Sequence, residues 1–188
     1  MRYPLHIMEI LDNLLPKEEF KKIEHFLVGG GGLPWTYLNY KVYGPNEDDL
    51  DNYQFVHPFY FQESCNGQFQ TEISPYFDYV IPILNKLEFI ALHRVKGNLE
   101  PLKSKRFYSD FHTDWGYMED GKKHVSNNMT TAIYYVNTCD GYTEFEDGTK
   151  VKCKANRLVK FPSSTEHRGV SQTNKRVKSV INLNFFEL

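Results

Sequence analysis

The sequence predicts a mainly β (α+β) protein, with a jelly-roll core and helices of the N-terminal half packed on one sheet. From residue 106 onward, short runs of β-branched and aromatic residues are separated by turn signals such as Asp140-Gly141 and Asp147-Gly148. About seven or eight short strands at this spacing are typical of a two-sheet jelly roll or a small barrel. The first half instead contains two segments with helical patterning, which we expect to cover the back of a sheet.

The N-terminal half is predicted to contain two helices with strands around them. The first helix begins at Pro16, where a proline loses no helical hydrogen bond, and ends at the glycines of residues 29–32. Its apolar residues recur at helical spacing at Phe20, Ile23, Phe26 and Leu27. A second helix is predicted over residues 72–87. Strands are predicted at residues 35–44 and 53–61, and residues 88–99 lead into the β half.

Composition and charge narrow the classes of function. The chain of 188 residues has 22 basic and 24 acidic side chains, so its net charge of −2 indicates no attraction to nucleic acid or anionic membranes. Its 3 cysteines form no C-x-x-C pair, which suits a reducing compartment. The N-terminus resembles neither a signal peptide nor a membrane span. We therefore expect a cytoplasmic protein with no nucleic-acid or membrane partner.

Candidate metal ligands occur in the segments "FHTDW" and "EHRGV". Side chains two positions apart in a strand share a face, so His112 and Asp114 should point into the same volume. For this pair alone, an exposed polar face is the simpler interpretation. His167 offers a third donor from a different predicted strand. Two histidines and one carboxylate leave open positions on a metal and suit iron(II) chemistry with oxygen.

The predicted last strand, "KRVKSVINLNF", carries its polar side chains on one face. Alternation places Arg176, Lys178, Val180, Asn182 and Asn184 on that face, and apolar residues on the other. Cations and amides directed into the interior are costly unless they meet an anion and hydrogen-bond partners. A bound dicarboxylate would be such a partner.

The spacing His112-x-Asp114, the distant His167 and a basic residue about ten positions later resemble the iron(II)- and 2-oxoglutarate-dependent dioxygenases, which are built on a double-stranded β-helix. The segments "TAIYYVN", "DGYTEFEDG", "NRLVKFP" and "HRGV" are similar to the prolyl 4-hydroxylase branch, phage-encoded members included. The resemblance covers about residues 90–186. It implies one oxygenase domain over residues 1–188, with an extension at 1–89 and the core at 90–188. For a phage protein, the compartment would be the host cytoplasm.

The resemblance also implies the cofactors and the reaction. His112, Asp114 and His167 would bind iron(II), and 2-oxoglutarate and oxygen would be cosubstrates, with ascorbate as a candidate addition. Succinate and carbon dioxide would be released while a substrate C–H bond is hydroxylated. The expected substrate is a prolyl or other side chain of a peptide or protein. A small metabolite, a nucleobase or a catalytically silent jelly-roll binding module remain alternatives.

Residue roles for the cosubstrate follow from the same resemblance. Tyr135 matches the tyrosine that hydrogen-bonds the distal carboxylate of 2-oxoglutarate, while Tyr134 should face the packed side. Arg176 is preferred over Lys178 as the salt-bridge partner, because a planar guanidinium suits a carboxylate. Asn182 departs from the family, which often has a bulky residue at this position, and it is expected to orient a ligand or the cosubstrate.

Substrate contacts are expected around a polar segment that follows the first two ligands. The polar pattern of residues 116–129 predicts a long loop next to the site, and its position indicates a lid over the site. Trp115 and Tyr117 lead into this segment and are the candidates for substrate contact. The oligomeric state is left open.

Overall fold

The computed structural model describes residues 8–41, 49–65, 68–114, 116–119, 122–125 and 129–187, of which 63–65, 68–69, 116–119 and 122–125 are described by their backbone alone. The helical elements are α1 (Lys17–Val28), a 3₁₀ turn (Phe77–Tyr79) and α2 (Ile81–Leu84). The strands are β1 (Glu9–Asp12), β2 (Thr36–Leu38), β3 (Gln54–Cys65), β4 (Gln68–Ile73), β5 (Ala91–Pro101), β6 (Gly116–Glu119), β7 (Lys122–Val125), β8 (Met129–Tyr135), β9 (Tyr142–Phe145), β10 (Lys150–Lys152), β11 (Arg157–Pro162), β12 (His167–Val170) and β13 (Val177–Phe186).

Two antiparallel sheets form the predicted jelly-roll core. The larger sheet has the order β1-β11-β8-β13-β5-β3-β2, with β4 also paired to β3, and the smaller sheet has the order β10-β9-β12. Along the chain, β8 lies in the larger sheet, β9 and β10 in the smaller, β11 in the larger, β12 in the smaller and β13 in the larger. This alternation between sheets confirms the predicted mainly β jelly roll.

Helix α1 forms where its apolar spacing predicts it. Its buried residues are Phe20, Ile23, Phe26 and Leu27. They belong to one hydrophobic cluster with Ile181, Leu183 and Phe185 of β13. The apolar face of β13 is therefore covered by α1, and its polar face is turned into the roll.

The second predicted helix is much shorter than expected. Residues 72 and 73 still belong to β4, and only the 3₁₀ turn and α2 are helical within residues 72–87. Pro82 lies in the first turn of α2. A proline there needs no N–H partner, but the same residue inside a longer helix would remove a hydrogen bond and clash with the preceding turn.

Other segments also differ from the sequence-based expectation. Strands β6 and β7 pair as an antiparallel hairpin inside the segment 116–129, which was expected to be a loop. Strand β1 was not predicted and pairs with β11 at the edge of the larger sheet. In the described part of the chain, no helix is long and apolar enough to cross a bilayer.

Isoleucine-to-alanine substitutions test the core assignment. Ile181 is 0% exposed, whereas Ile73 is 61% exposed. We expect Ile181→Ala to lower the free energy of unfolding by about 2 to 5 kcal/mol, because it leaves a cavity beneath the helix. Ile73→Ala should change it by less than about 1 kcal/mol. Urea unfolding followed by circular dichroism measures both, and equal losses would contradict the core assignment.

Candidate metal centre

His112, Asp114 and His167 come together as the sequence predicts. One ligand atom from each residue lies within 4.8 Å of the corresponding atoms of the other two. The distance from His167 Nε2 to Asp114 Oδ2 is 4.0 Å. Donor atoms this close can contact one metal ion, since metal–nitrogen and metal–oxygen bonds are about 2.0 to 2.2 Å long.

Backbone hydrogen bonds place the two imidazoles side by side. The N–H of His112 donates to the carbonyl of His167, and the N–H of His167 donates to the carbonyl of His112, both at 3.0 Å. Nδ1 of His112 lies 3.2 Å from the carbonyl oxygen of Asp110, and Nδ1 of His167 lies 3.0 Å from that of Thr165. Each Nδ1–H therefore donates to a carbonyl, which leaves the Nε2 lone pair free for a metal.

The Asp114 carboxylate is held by three side chains of the larger sheet. Arg94 Nη2 donates to Oδ1 at 3.3 Å. Thr131 Oγ1 and Asn184 Nδ2 donate to Oδ2 at 2.9 Å and 3.2 Å. Asn184 lies between the other two, because it is paired with Thr131 on β8 and with Arg94 on β5. Asp114 itself lies in a bend and not in the predicted strand, so these contacts define where its carboxylate points.

Burial and charge set the protonation states of two of the three donors. Burial, assisted by the neighbouring His167, lowers the pKa of His112 to about 4. Burial alone would raise the pKa of Asp114, but Arg94 and the two imidazoles outweigh it and hold this pKa well below its ordinary value. Near neutral pH, His112 is therefore neutral and Asp114 is ionised, as metal binding requires.

A cavity of about 390 Å³ lies beside the triad, between the two sheets. Tyr135 lines it and donates from its hydroxyl to Thr143 Oγ1 at 2.7 Å. Lys178 also lines it and donates to the carbonyl of Val170 at 2.7 Å. Tyr134, as predicted, faces the opposite side and belongs to the hydrophobic cluster that includes α1.

A buried cluster of charges forms part of the cavity wall. Nζ of Lys41 and Nζ of Lys178 lie 2.8 Å and 3.3 Å from the same oxygen of Glu100. Gly169 lies beside both ammonium groups, because a Cβ atom added there would be 3.5 Å from Nζ of Lys41 and 3.8 Å from Nζ of Lys178. Burial alone would raise the pKa of Glu100, but the charges of Lys178 and Lys41 outweigh burial and hold this pKa below its ordinary value. Two cations around one carboxylate leave a net positive charge, which an anionic ligand would stabilise.

The structure separates the two basic residues that the sequence left as alternatives. Arg176 is exposed and lies in a bend, one residue before β13 begins at Val177. The expectation that Arg176 points into the interior is therefore wrong, because strand alternation does not extend to its position. Lys178, inside the strand, is buried in the cavity wall.

Of the remaining candidates, Asn182 has a described side chain, whereas Trp115 and Tyr117 do not. Asn182 lines the cavity, and its Oδ1 is buried without a hydrogen-bond donor from the described residues. Trp115 lies outside the described residues. Tyr117 is described only by its backbone, in β6, so its side chain also lies outside the description.

Sequence reasoning missed several residues of the site. Strand β5 contributes four side chains to the cavity at alternating positions, namely Arg94, Lys96, Asn98 and Glu100. The alternation of polar residues in "RVKGNLE" was a usable signal for this face. Lys41 carried no such signal, because it reaches the cavity from a segment far away in sequence.

Solved structures provide the comparison with known proteins. The viral collagen prolyl hydroxylase from Paramecium Bursaria Chlorella virus-1 is 15% identical, with 96% of each chain covered and a TM-score of 0.59. A Pseudomonas putida prolyl-4-hydroxylase is 14% identical, with 97% of this chain and 94% of that chain covered and a TM-score of 0.60. A Trichoplax adhaerens prolyl hydroxylase is 12% identical, with 96% and 83% covered and a TM-score of 0.56.

Comparisons of the sequence with known families and proteins find no match. No protein-family model matches it, and no curated protein matches it. The predicted resemblance is confirmed at the level of the fold, because the structural neighbours include prolyl hydroxylases and other 2OG-Fe(II) oxygenases, and the triad is assembled. The chain has the fold of the 2-oxoglutarate- and iron(II)-dependent oxygenases, prolyl hydroxylases among them.

Proposed function

We propose that the protein is an iron(II)- and 2-oxoglutarate-dependent oxygenase that hydroxylates a C–H bond and releases succinate and carbon dioxide. The observation that carries this proposal is the His112–Asp114–His167 triad beside a cavity lined by cations. Oxygen is the second cosubstrate, and ascorbate is a candidate addition.

The residues of the triad fit iron(II). Two imidazole nitrogens and one carboxylate oxygen form the donor set of non-heme iron oxygenases and leave further positions on the metal open. The carbonyl partners of both Nδ1 atoms, and the hydrogen bonds to Asp114, orient these donors before a metal arrives.

The cavity fits a dicarboxylate such as 2-oxoglutarate. Lys178 and Lys41 supply positive charge where the distal carboxylate would bind. Tyr135 supplies a buried hydroxyl in the same cavity. The solved complex of the Chlorella virus enzyme with 2-oxoglutarate supports this cosubstrate.

When bound, iron and 2-oxoglutarate supply the oxidising chemistry, and the protein supplies positions, charge and exclusion of water. His112, Asp114 and His167 would bind the metal. Lys178 and Tyr135 fix the distal end of the cosubstrate. Ile133 and Val180 line the same cavity with apolar surface and limit access of water.

A prolyl or other side chain of a peptide or protein is the proposed substrate. Prolyl hydroxylases recur among the structural neighbours, and the Trichoplax enzyme was solved with a hypoxia inducible factor peptide fragment. Trp115 and Tyr117 remain the candidates for contact with this substrate.

A cytoplasmic location and a single domain over residues 1–188 complete the proposal. Two of the three cysteines, Cys139 and Cys153, are free and buried, which fits a reducing compartment. For a phage-encoded protein this compartment is the host cytoplasm.

Substitution of the carboxylate ligand tests the metal site. Asp114→Ala should weaken binding of manganese(II), a redox-silent substitute, by more than about 100-fold, because loss even of a residue that orients a ligand costs about 10- to 100-fold. The matched control is Asp78→Ala, at an exposed position, which should leave affinity unchanged. Calorimetry measures both. Wild-type affinity in Asp114→Ala, or no binding by the wild type, would favour the silent binding module.

The pH dependence of stability tests the burial of His112. The pKa of His112 is about 4 in the folded protein and about 6.5 in an unfolded chain. Between pH 4 and pH 6.5, this imidazole is therefore protonated mainly in the unfolded chain. In metal-free protein, lowering the pH from 6.5 to 4 should therefore reduce the free energy of unfolding, by up to about 1.4 kcal/mol per pH unit from this group. His112→Gln should show a shallower decline in urea unfolding. Equal declines in the wild type and in His112→Gln would contradict the lowered pKa of His112.

The two basic residues near the start of β13 provide a direct contrast. Lys178→Met should weaken 2-oxoglutarate binding by at least about 30-fold, because it removes the buried charge that pairs with a carboxylate. Arg176→Met should change it by less than about twofold, since an exposed charge contributes little. Calorimetry with manganese(II)-loaded protein measures both. The opposite ranking would contradict the assignment of Lys178.

A further inference from the structure

Lys96 is a cation that lines the cavity and has no partner for its ammonium among the described residues. It lies on β5, partly buried, and its ammonium makes no ion pair or hydrogen bond with any side chain or backbone group that the structure describes. The other cations that line the cavity are each engaged by a carboxylate, in the pairs Arg94–Asp114, Lys41–Glu100 and Lys178–Glu100. Lys96 is thus available to a ligand.

A polar atom without a partner lies beside Lys96. Asn182 is paired with Lys96 across β13 and β5, and both side chains line the cavity. Oδ1 of Asn182 is buried and accepts no hydrogen bond from the described residues, and the same holds for the hydroxyl of Thr113, next to the triad. A buried polar atom left without a partner costs about 1 to 3 kcal/mol. An unpaired cation and an unpaired acceptor together indicate a ligand with an anionic group and an N–H or O–H donor.

The charge of the cavity also exceeds what the proposed cofactors neutralise. Four lysine and arginine side chains and two carboxylates line it, a formal charge of 4 − 2 = +2 when the histidines are counted as uncharged. Iron(II) adds two positive charges and 2-oxoglutarate adds two negative charges, so the loaded cavity keeps the same excess. Burial and the nearby Arg94 lower the pKa of Lys96 to about 8, which is the signature of an ammonium whose lost hydration is not replaced.

We propose that Lys96 and Asn182 form a second anion subsite of the cavity, which binds a carboxylate group of the substrate. This inference rests on the proposed function and narrows its substrate class to peptides or proteins that place a carboxylate and a neighbouring N–H in the cavity, such as acidic peptide segments. The lysine binds the carboxylate, and the amide oxygen accepts the N–H. The near carboxylate of 2-oxoglutarate offers the same chemistry, so the experiment separates the two sources.

The test uses full-length protein loaded with manganese(II) and 2-oxoglutarate. Acetate is the carboxylate probe, and acetamide is its neutral counterpart. Bound manganese accelerates the magnetic relaxation of methyl protons that come close to it, which reports binding in the cavity. The variants are Lys96→Met and Lys96→Arg, with Lys86→Met as the control at an exposed position. Calorimetry measures the 2-oxoglutarate affinity of each variant, and circular dichroism checks folding.

The expected result is faster relaxation of acetate than of acetamide in the wild type, Lys96→Arg and Lys86→Met. The difference should disappear in Lys96→Met, while its 2-oxoglutarate affinity stays within about twofold. Folded Lys96→Met with a weakened 2-oxoglutarate affinity and unchanged acetate relaxation would overturn the substrate assignment, because the cosubstrate would then fill the subsite. If Lys96→Met changed neither the acetate relaxation nor the 2-oxoglutarate affinity, the proposed subsite would be wrong. Failure of the wild type to bind 2-oxoglutarate would instead contradict the proposed function.

Discussion

The site depends on how the Asp114 carboxylate is held. This buried anion belongs to a bend next to the smaller sheet, yet its hydrogen bonds come from Arg94, Thr131 and Asn184 of the larger sheet. Those contacts connect the two halves of the roll at the triad. A buried carboxylate without them would be strongly destabilising, so they define its direction as well as its ionised state.

Polar side chains of the larger sheet also form one wall of the cavity. Polar side chains of β5 and β13 face each other in register, from Arg94 and Asn184 near the triad to Glu100 and Lys178 further along. The apolar face of β13 packs beneath α1, so the chain uses strand alternation to place a hydrophobic core and a charged cavity on opposite sides of one sheet. The excess of cations over carboxylates in the cavity favours the binding of acidic ligands.

The local parts of this arrangement could be predicted from the sequence. Helical spacing predicted α1. The resemblance to the oxygenases predicted the triad, whereas strand alternation does not explain it, because Asp114 lies in a bend. Arg176 was misjudged because alternation holds only inside a strand, and β13 begins one residue later. The second helix was overextended because Pro82 limits how far a helix can continue from upstream. Lys41 could not be predicted, since its contact with Glu100 depends on the tertiary fold.

Anaerobic titration of iron(II) and 2-oxoglutarate into metal-free protein tests whether the triad binds iron together with the cosubstrate. The chelate of the two should give a weak visible charge-transfer absorption. We expect a band that requires both components and disappears in His112→Ala. No band from folded wild-type protein, or an undiminished band in His112→Ala, would contradict the assignment of the triad as the iron site of an oxygenase.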